Sequence, residues 1–125
     1  MRLNEVVTNL NVPDEIINFL RFACKELNIT SLPKIELIQE PISNEESNSF
    51  AAYSPNKKQI FLYTANRHIL DILRSLCHEM VHHRQNLNNE LNTKSGKTGS
   101  PHEDEANSVA GQVMRKYGKL HTNLF

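Results

Sequence analysis

Residues Ile69 to Gln85 read ILDILRSLCHEMVHHRQ. Ile69, Leu70, Ile72, Leu73, Leu76, Cys77, Met80 and Val81 make this stretch apolar over most of a helical circumference, the pattern of a helix buried in a core. Within it His78 and His82 stand four residues apart, with Glu79 between them. At roughly 3.6 residues per turn, side chains four apart lie about 40° from eclipsed, so the two imidazoles reach a common point. Burying an unpartnered polar group costs several kcal/mol. Two readings follow: the histidines are satisfied by carbonyls inside the core, or they hold an ion.

His78-Glu79-Met80-Val81-His82 has the HExxH arrangement, whose mechanics fit a zinc-dependent peptidase. Two imidazoles bind one tetrahedral zinc, and a catalytic zinc takes three protein ligands with the fourth position left to water. Glu79 is not needed as a ligand and is placed to accept a proton from that water. The third ligand is sought downstream, in Ser100-Pro101-His102-Glu103-Asp104-Glu105-Ala106-Asn107. Ser100 as N-cap, Pro101 at N1 and Glu103 at N3 mark a helix start. The apolar stripe of that helix is Ala106, Val109, Ala110, Val113, Met114 and Tyr117. At about 100° per residue Glu103 falls roughly 40° from the stripe centre, His102 about 60° and Glu105 roughly 120°. Glu103 is therefore the preferred ligand and Glu105 faces solvent, with His102 or Glu105 as fallback ligands and a capping box with Ser100 as the structural alternative. Asn107, one turn beyond Glu103, is in position to hydrogen-bond a ligand histidine.

With HEMVH followed about twenty residues later by a helix opening Glu-x-Glu-Ala-Asn, the chain resembles the gluzincin group of metallopeptidases. The size, the strand order and the pair Glu103/Asn107 resemble minigluzincins and small peptidase-like proteins encoded by bacteriophages, over roughly Gln59 to Tyr117. The resemblance implies His78, His82 and Glu103 as ligands of a single zinc, Glu79 as catalytic base and Asn107 as the residue that orients the site. Asn107 stands where many relatives carry Asp, which removes a charge there but leaves the ligand set intact.

The remainder of the chain reads as a small α+β scaffold around that helix. Arg2 to Asn11 is a short amphipathic stretch. Pro13 then opens a packing helix to about Asn28, with Asp14 and Glu15 at its positive end and Ile16, Ile17, Leu20, Ala23, Cys24 and Leu27 as its stripe. Lys34 to Gln39 alternates as a strand, Ser43 to Ser49 is polar and reads as a loop, and Phe50 to Tyr53 is a second strand. Ser54 to Lys57 is turn chemistry leading into a third strand, Gln59 to Tyr63. That third strand, immediately before the metal-motif helix, is expected to border the cleft and to accept an extended substrate by strand addition. Thr64 or Asn66 is the expected cap of a helix over 66–91, with the downstream helix over 100–117. The expectation is one zincin-like domain over 1–125: helical to residue 30, a three-stranded sheet over 34–63, then the two helices that carry the site.

Length and charge narrow the function classes. A chain of 125 residues suits one domain with a small core. With 14 basic and 14 acidic side chains the formal charge is zero, which points to neither nucleic acid nor a membrane surface as partner. The expected partner is a protein or peptide substrate. Cys24 and Cys77 form no CxxC pair and read as reduced core thiols. With no apolar run of signal-peptide or membrane-spanning length, a cytoplasmic location is expected. Ser95-Gly96-Lys97-Thr98 resembles the end of a phosphate-binding loop, but Leu91 stands where its first glycine is required. Tyr117, His121, His83, Arg67 and Tyr53 are candidates to stabilise an oxyanion, with packing favoured for Tyr117 and a surface position for His121. Arg74, one turn before His78, is expected in an ion pair. Two rival functions remain: a non-catalytic protein with zinc as a structural clamp, and a zinc hydrolase of a non-protein amide. An intact Glu79 argues against the clamp, which needs no base.

Overall fold

A computed structural model describes residues 13–38, 42–43, 48–90 and 101–121. Among these the chain is mixed α+β: helices α1 (Asp14–Glu26), α2 (Ile69–Leu87) and α3 (Pro101–Leu120), with strands β1 (Lys34–Ile38), β2 (Ile42–Ser43), β3 (Asn48–Ser49), β4 (Ala51–Ser54) and β5 (Gln59–Tyr63). The amphipathic stretch Arg2–Asn11 and the expected cap Ser100 lie outside the described residues.

β4 and β5 form the expected antiparallel hairpin, Tyr53 opposite Ile60, and β1 adds to the far side of β5 in parallel, Ile35 opposite Ile60. The sheet order is β1-β5-β4. This corrects the expectation for Gln59–Tyr63: β5 is the central strand, its hydrogen-bonding groups are taken on both sides, and a peptide cannot add to it. The edges belong to β1 and β4. A second correction concerns the ends of the expected loop Ser43–Ser49, where Ile42–Ser43 pairs antiparallel with Asn48–Ser49; 44–47 lie outside the described residues. A ladder this short carries no hydrophobic period by which a sequence would announce it.

Alternation in the strands decides which face is covered. Ile35, Ile60 and Leu62 are fully buried, and Leu37, Ala51 and Tyr53 pack against them on the same face. α2 lies on this face. Its buried residues Ile72, Leu73, Leu76, Cys77, Met80 and Val81 occupy most of its circumference because the sheet is on one side and α1 and α3 are on the others. α1 contributes Ile16, Phe19, Leu20, Ala23 and Leu27, and α3 contributes Ala106, Ala110, Val113, Met114 and Tyr117. Cys24 and Cys77 are free and buried, and burial pushes both thiols up to about 12. Such thiols stay protonated and unreactive.

The ends of the helices fix where the functional side chains stand. α2 begins at Ile69, later than expected. Its cap is His68, whose Nδ1 accepts from the Leu70 amide at 3.1 Å, while Asn66 sits in the left-handed region at φ 58°. The helix stops after Leu87 in a Schellman turn. Asn89 adopts φ 59°, its amide donates to Asn86 O at 3.0 Å, and the Glu90 amide donates to Gln85 O at 2.9 Å. α1 ends the same way, with Asn28 at φ 56° and the Ile29 amide on Cys24 O at 2.9 Å. Asn tolerates this conformation better than other residues with a Cβ. Among the described residues no helix is long and apolar enough to cross a membrane.

Candidate metal centre

α2 presents His78 and His82 on one face, with ring centroids 4.9 Å apart at 80° and Nε2 atoms 3.2 Å apart. The first turn of α3 brings Glu103 onto both. Its Oε1 lies 2.7 Å from His78 Nε2 and its Oε2 lies 2.9 Å from His82 Nε2. Glu79 closes the group, since the ligand atoms of His78, Glu79 and His82 all lie within 4.8 Å of one another. His78, Glu79 and His82 form a group that could hold a metal ion.

The donor set fits a small, borderline-soft cation. Bonds of about 2.0–2.1 Å in a tetrahedron give ligand–ligand edges near 3.3 Å. The histidine nitrogens are already at 3.2 Å, and the Glu103 oxygens are within about half an ångström of such an edge. At these separations the two ring nitrogens and the carboxylate need shared protons or a cation between them.

One proton can be placed from the hydrogen bonds alone. Gln85 Nε2 lies 3.1 Å from His102 O and 2.8 Å from Glu105 Oε1, both acceptors, so this end of the side chain is the amide donor. The other end, Oε1, therefore faces His82 Nδ1 at 2.8 Å and accepts its proton. In the neutral imidazole this leaves the lone pair of His82 on Nε2, directed at Glu103 and His78. Gln85 is fully buried. Glu105, though exposed, anchors it. Reasoning from the sequence misses this relay; the signal that could find it is the i, i+3 spacing of His82 and Gln85.

Glu79 is buried, with 7 % of its surface exposed. Burial first, and then the charge of Glu103, push its carboxyl from 4.5 up to about 8. A group with that proton affinity is poised to take and return a proton near neutral pH.

Other candidate residues are placed elsewhere. Asn107 is exposed one turn beyond Glu103, beside His78 in a cleft, and among the described residues it bonds neither histidine. Tyr117 is fourteen residues beyond Glu103, about 21 Å along the helix at 1.5 Å per residue. It is buried edge-on against Phe19 and Phe22, at centroid distances of 4.9 and 5.1 Å. His121 stacks on Tyr117 at 4.0 Å and its Nδ1 lies 3.2 Å from Tyr117 O. Neither is brought to the histidine pair. His83 points into the core instead: Nε2 donates to Ser31 O at 2.6 Å and Nδ1 accepts from the Tyr53 hydroxyl at 2.7 Å. The same hydroxyl accepts from Asn86 Nδ2 at 3.0 Å. Arg67 spans Tyr63 O, Asp71 O and Ser75 Oγ at 2.7–2.9 Å and lies over the Phe50 ring. His83, Tyr53 and Arg67, all candidates for oxyanion stabilisation, are thus occupied in structural contacts.

No protein-family model, curated protein or solved structure matches the chain.

Proposed function

We propose that this chain is a small zincin-like peptidase that hydrolyses peptide bonds with a single zinc held by His78, His82 and Glu103. The observation that carries the reading is the convergence of both Nε2 atoms on the Glu103 carboxylate at 2.7 and 2.9 Å, with Glu79 beside them. When bound, zinc supplies polarisation of a carbonyl and a more acidic water. The protein supplies the rest. Gln85 holds His82 in the tautomer that a metal requires, a role of the kind that outer hydrogen bonds play at metal sites. Glu79 accepts the proton released by the attacking water and delivers it to the departing amine. Its burial supports that role by raising its proton affinity above that of a solvated carboxylate, against which the charge of a bound cation would act. Of the two carboxylates, Glu103 is assigned as ligand because its oxygens contact both rings. Glu79 follows His78 on the same helix and keeps its proton-transfer role.

The test is a peptide-library screen comparing the wild-type chain with Glu79→Gln, with metal content measured on both. The reading expects cleavage by the wild type, a loss of about 10²–10⁴-fold in the variant, and equal metal in the two. Absence of cleavage by a metal-loaded wild type, or full cleavage by the variant, removes it.

A further inference from the structure

Beside the histidine pair, α2 and α3 leave a cleft of about 400 Å³. His78 and Asn107 line one end, and the buried side chains of Ala110 and Met114 form its floor. Arg74 and Arg115, both exposed, line it from the two helices. Arg74 is one turn before His78 on α2. Arg115 folds back along α3, its Nη1 lying 3.7 Å from where a Cβ on Gly111 would stand. Small side chains at 110 and 111 thus leave the room that the guanidinium borders.

Among the described residues Arg74 makes none of the ion pairs expected of it, and neither arginine pairs with an acid there. Two guanidiniums lining one cleft with an apolar floor offer positive charge to an anionic group entering it. Planar forks of this kind match a carboxylate with two parallel hydrogen bonds. Arg74 and Gly111 stand about 6 Å and 12 Å along their helices from His78 and Glu103, at 1.5 Å per residue. An extended peptide advances roughly 3.3–3.6 Å per residue, so the cleft accommodates a group two or three residues from a bond held at the histidines.

Resting on the peptidase reading above, we infer that this cleft binds a carboxylate of the peptide substrate, with Arg74 and Arg115 as its partners. The chain then prefers peptides that carry a negative charge a few residues from the cleaved bond. The charge is either an acidic side chain or a free C-terminus.

Binding separates these sources without relying on turnover. In the full-length Glu79→Gln chain, titration calorimetry compares four N-acetylated tripeptides. One is Ala-Ala-Ala with a free C-terminus and one is its amide. The other two are Ala-Ala-Glu amide and Ala-Ala-Gln amide. The expected result is binding about threefold to tenfold tighter for a charged peptide than for its neutral partner. This preference should be lost with Arg74→Gln and Arg115→Gln and largely kept with Arg→Lys at both positions. Preference for the free terminus over its amide assigns the terminal carboxylate, and preference for Glu over Gln assigns the side chain. Equal binding of all four, or a preference that survives the double Gln variant, overturns the inference. Cleavage of neutral and charged peptides alike by the wild type would leave the peptidase reading standing without it. A charge preference without any cleavage would overturn the peptidase reading and leave a carboxylate-binding cleft. Both arginines are exposed, and thermal melts verify that the variants fold.

Discussion

His82 Nδ1 and Gln85 Oε1 lie 2.8 Å apart, and the direction of that hydrogen bond is fixed by the two acceptors on the other end of the Gln85 amide. A buried glutamine one turn from a histidine thus decides which nitrogen faces Glu103. Replacing Gln85 by Leu removes the acceptor and frees the ring to rotate or change tautomer. Zinc affinity, measured by chelator competition, should fall by about 10–100-fold. Asn107→Ala should leave it nearly unchanged. The reverse ranking would return the orienting role to Asn107.

Glu79 makes the metal-free protein sensitive to alkali. Its carboxyl is raised in the folded state from 4.5 to about 8, so the folded chain binds a proton that the unfolded chain lacks across that interval. The stability gained is complete below the unfolded value and disappears as pH rises through the folded one. Urea titration of the metal-stripped wild type should show a loss of a few kcal/mol between about pH 4 and pH 9 relative to Glu79→Gln. The comparison with the variant cancels His83, which burial holds below its ordinary range and which works in the opposite sense. Parallel pH profiles for the two proteins would rule this out.

Tyr53 and His83 tie the hairpin to the core. Tyr53→Phe leaves His83 Nδ1 and Asn86 Nδ2 each without a partner they now have. An unsatisfied buried group costs about 1–3 kcal/mol, and equilibrium unfolding should register a loss of that size. Metal affinity should be preserved, since neither group touches His78, His82 or Glu103.

Arg67 joins the end of β5 to the first turns of α2 through three acceptors and the face of Phe50. Arg67→Ala should cost about 1–3 kcal/mol in urea unfolding. Arg67→Lys should recover only a small part of it, because one ammonium cannot reproduce the planar fork. Loss of activity from either variant without loss of stability would instead place Arg67 at the substrate.

Much of the centre is legible in local periodicity. The apolar circumference of Ile69–Val81 announces a buried helix, and the stripe from Ala106 to Tyr117 turns Glu103 inward, where the structure places it on both histidines. The strand Gln59–Tyr63 is found at its expected bounds. What periodicity cannot report is partnership between distant segments. The parallel addition of Lys34–Ile38 to β5 depends on contacts across the intervening hairpin, and it alone makes β5 central. His68 caps α2 with a ring nitrogen, a role for which Ser, Thr, Asp and Asn are the usual choices. Tyr117 is a different case, since helical rise alone separates it from Glu103 by about 21 Å, a length that follows from the residue count.

Zinc held by His78, His82 and Glu103 is the premise on which the proposed chemistry depends. Elemental analysis of protein purified without added metal or a histidine tag checks it, on the wild type and on Glu103→Ala. About one zinc per wild-type chain is expected, with a clear deficit in the variant. A wild-type value near zero that added zinc does not restore would rule out the centre and return the two histidines to packing in the core.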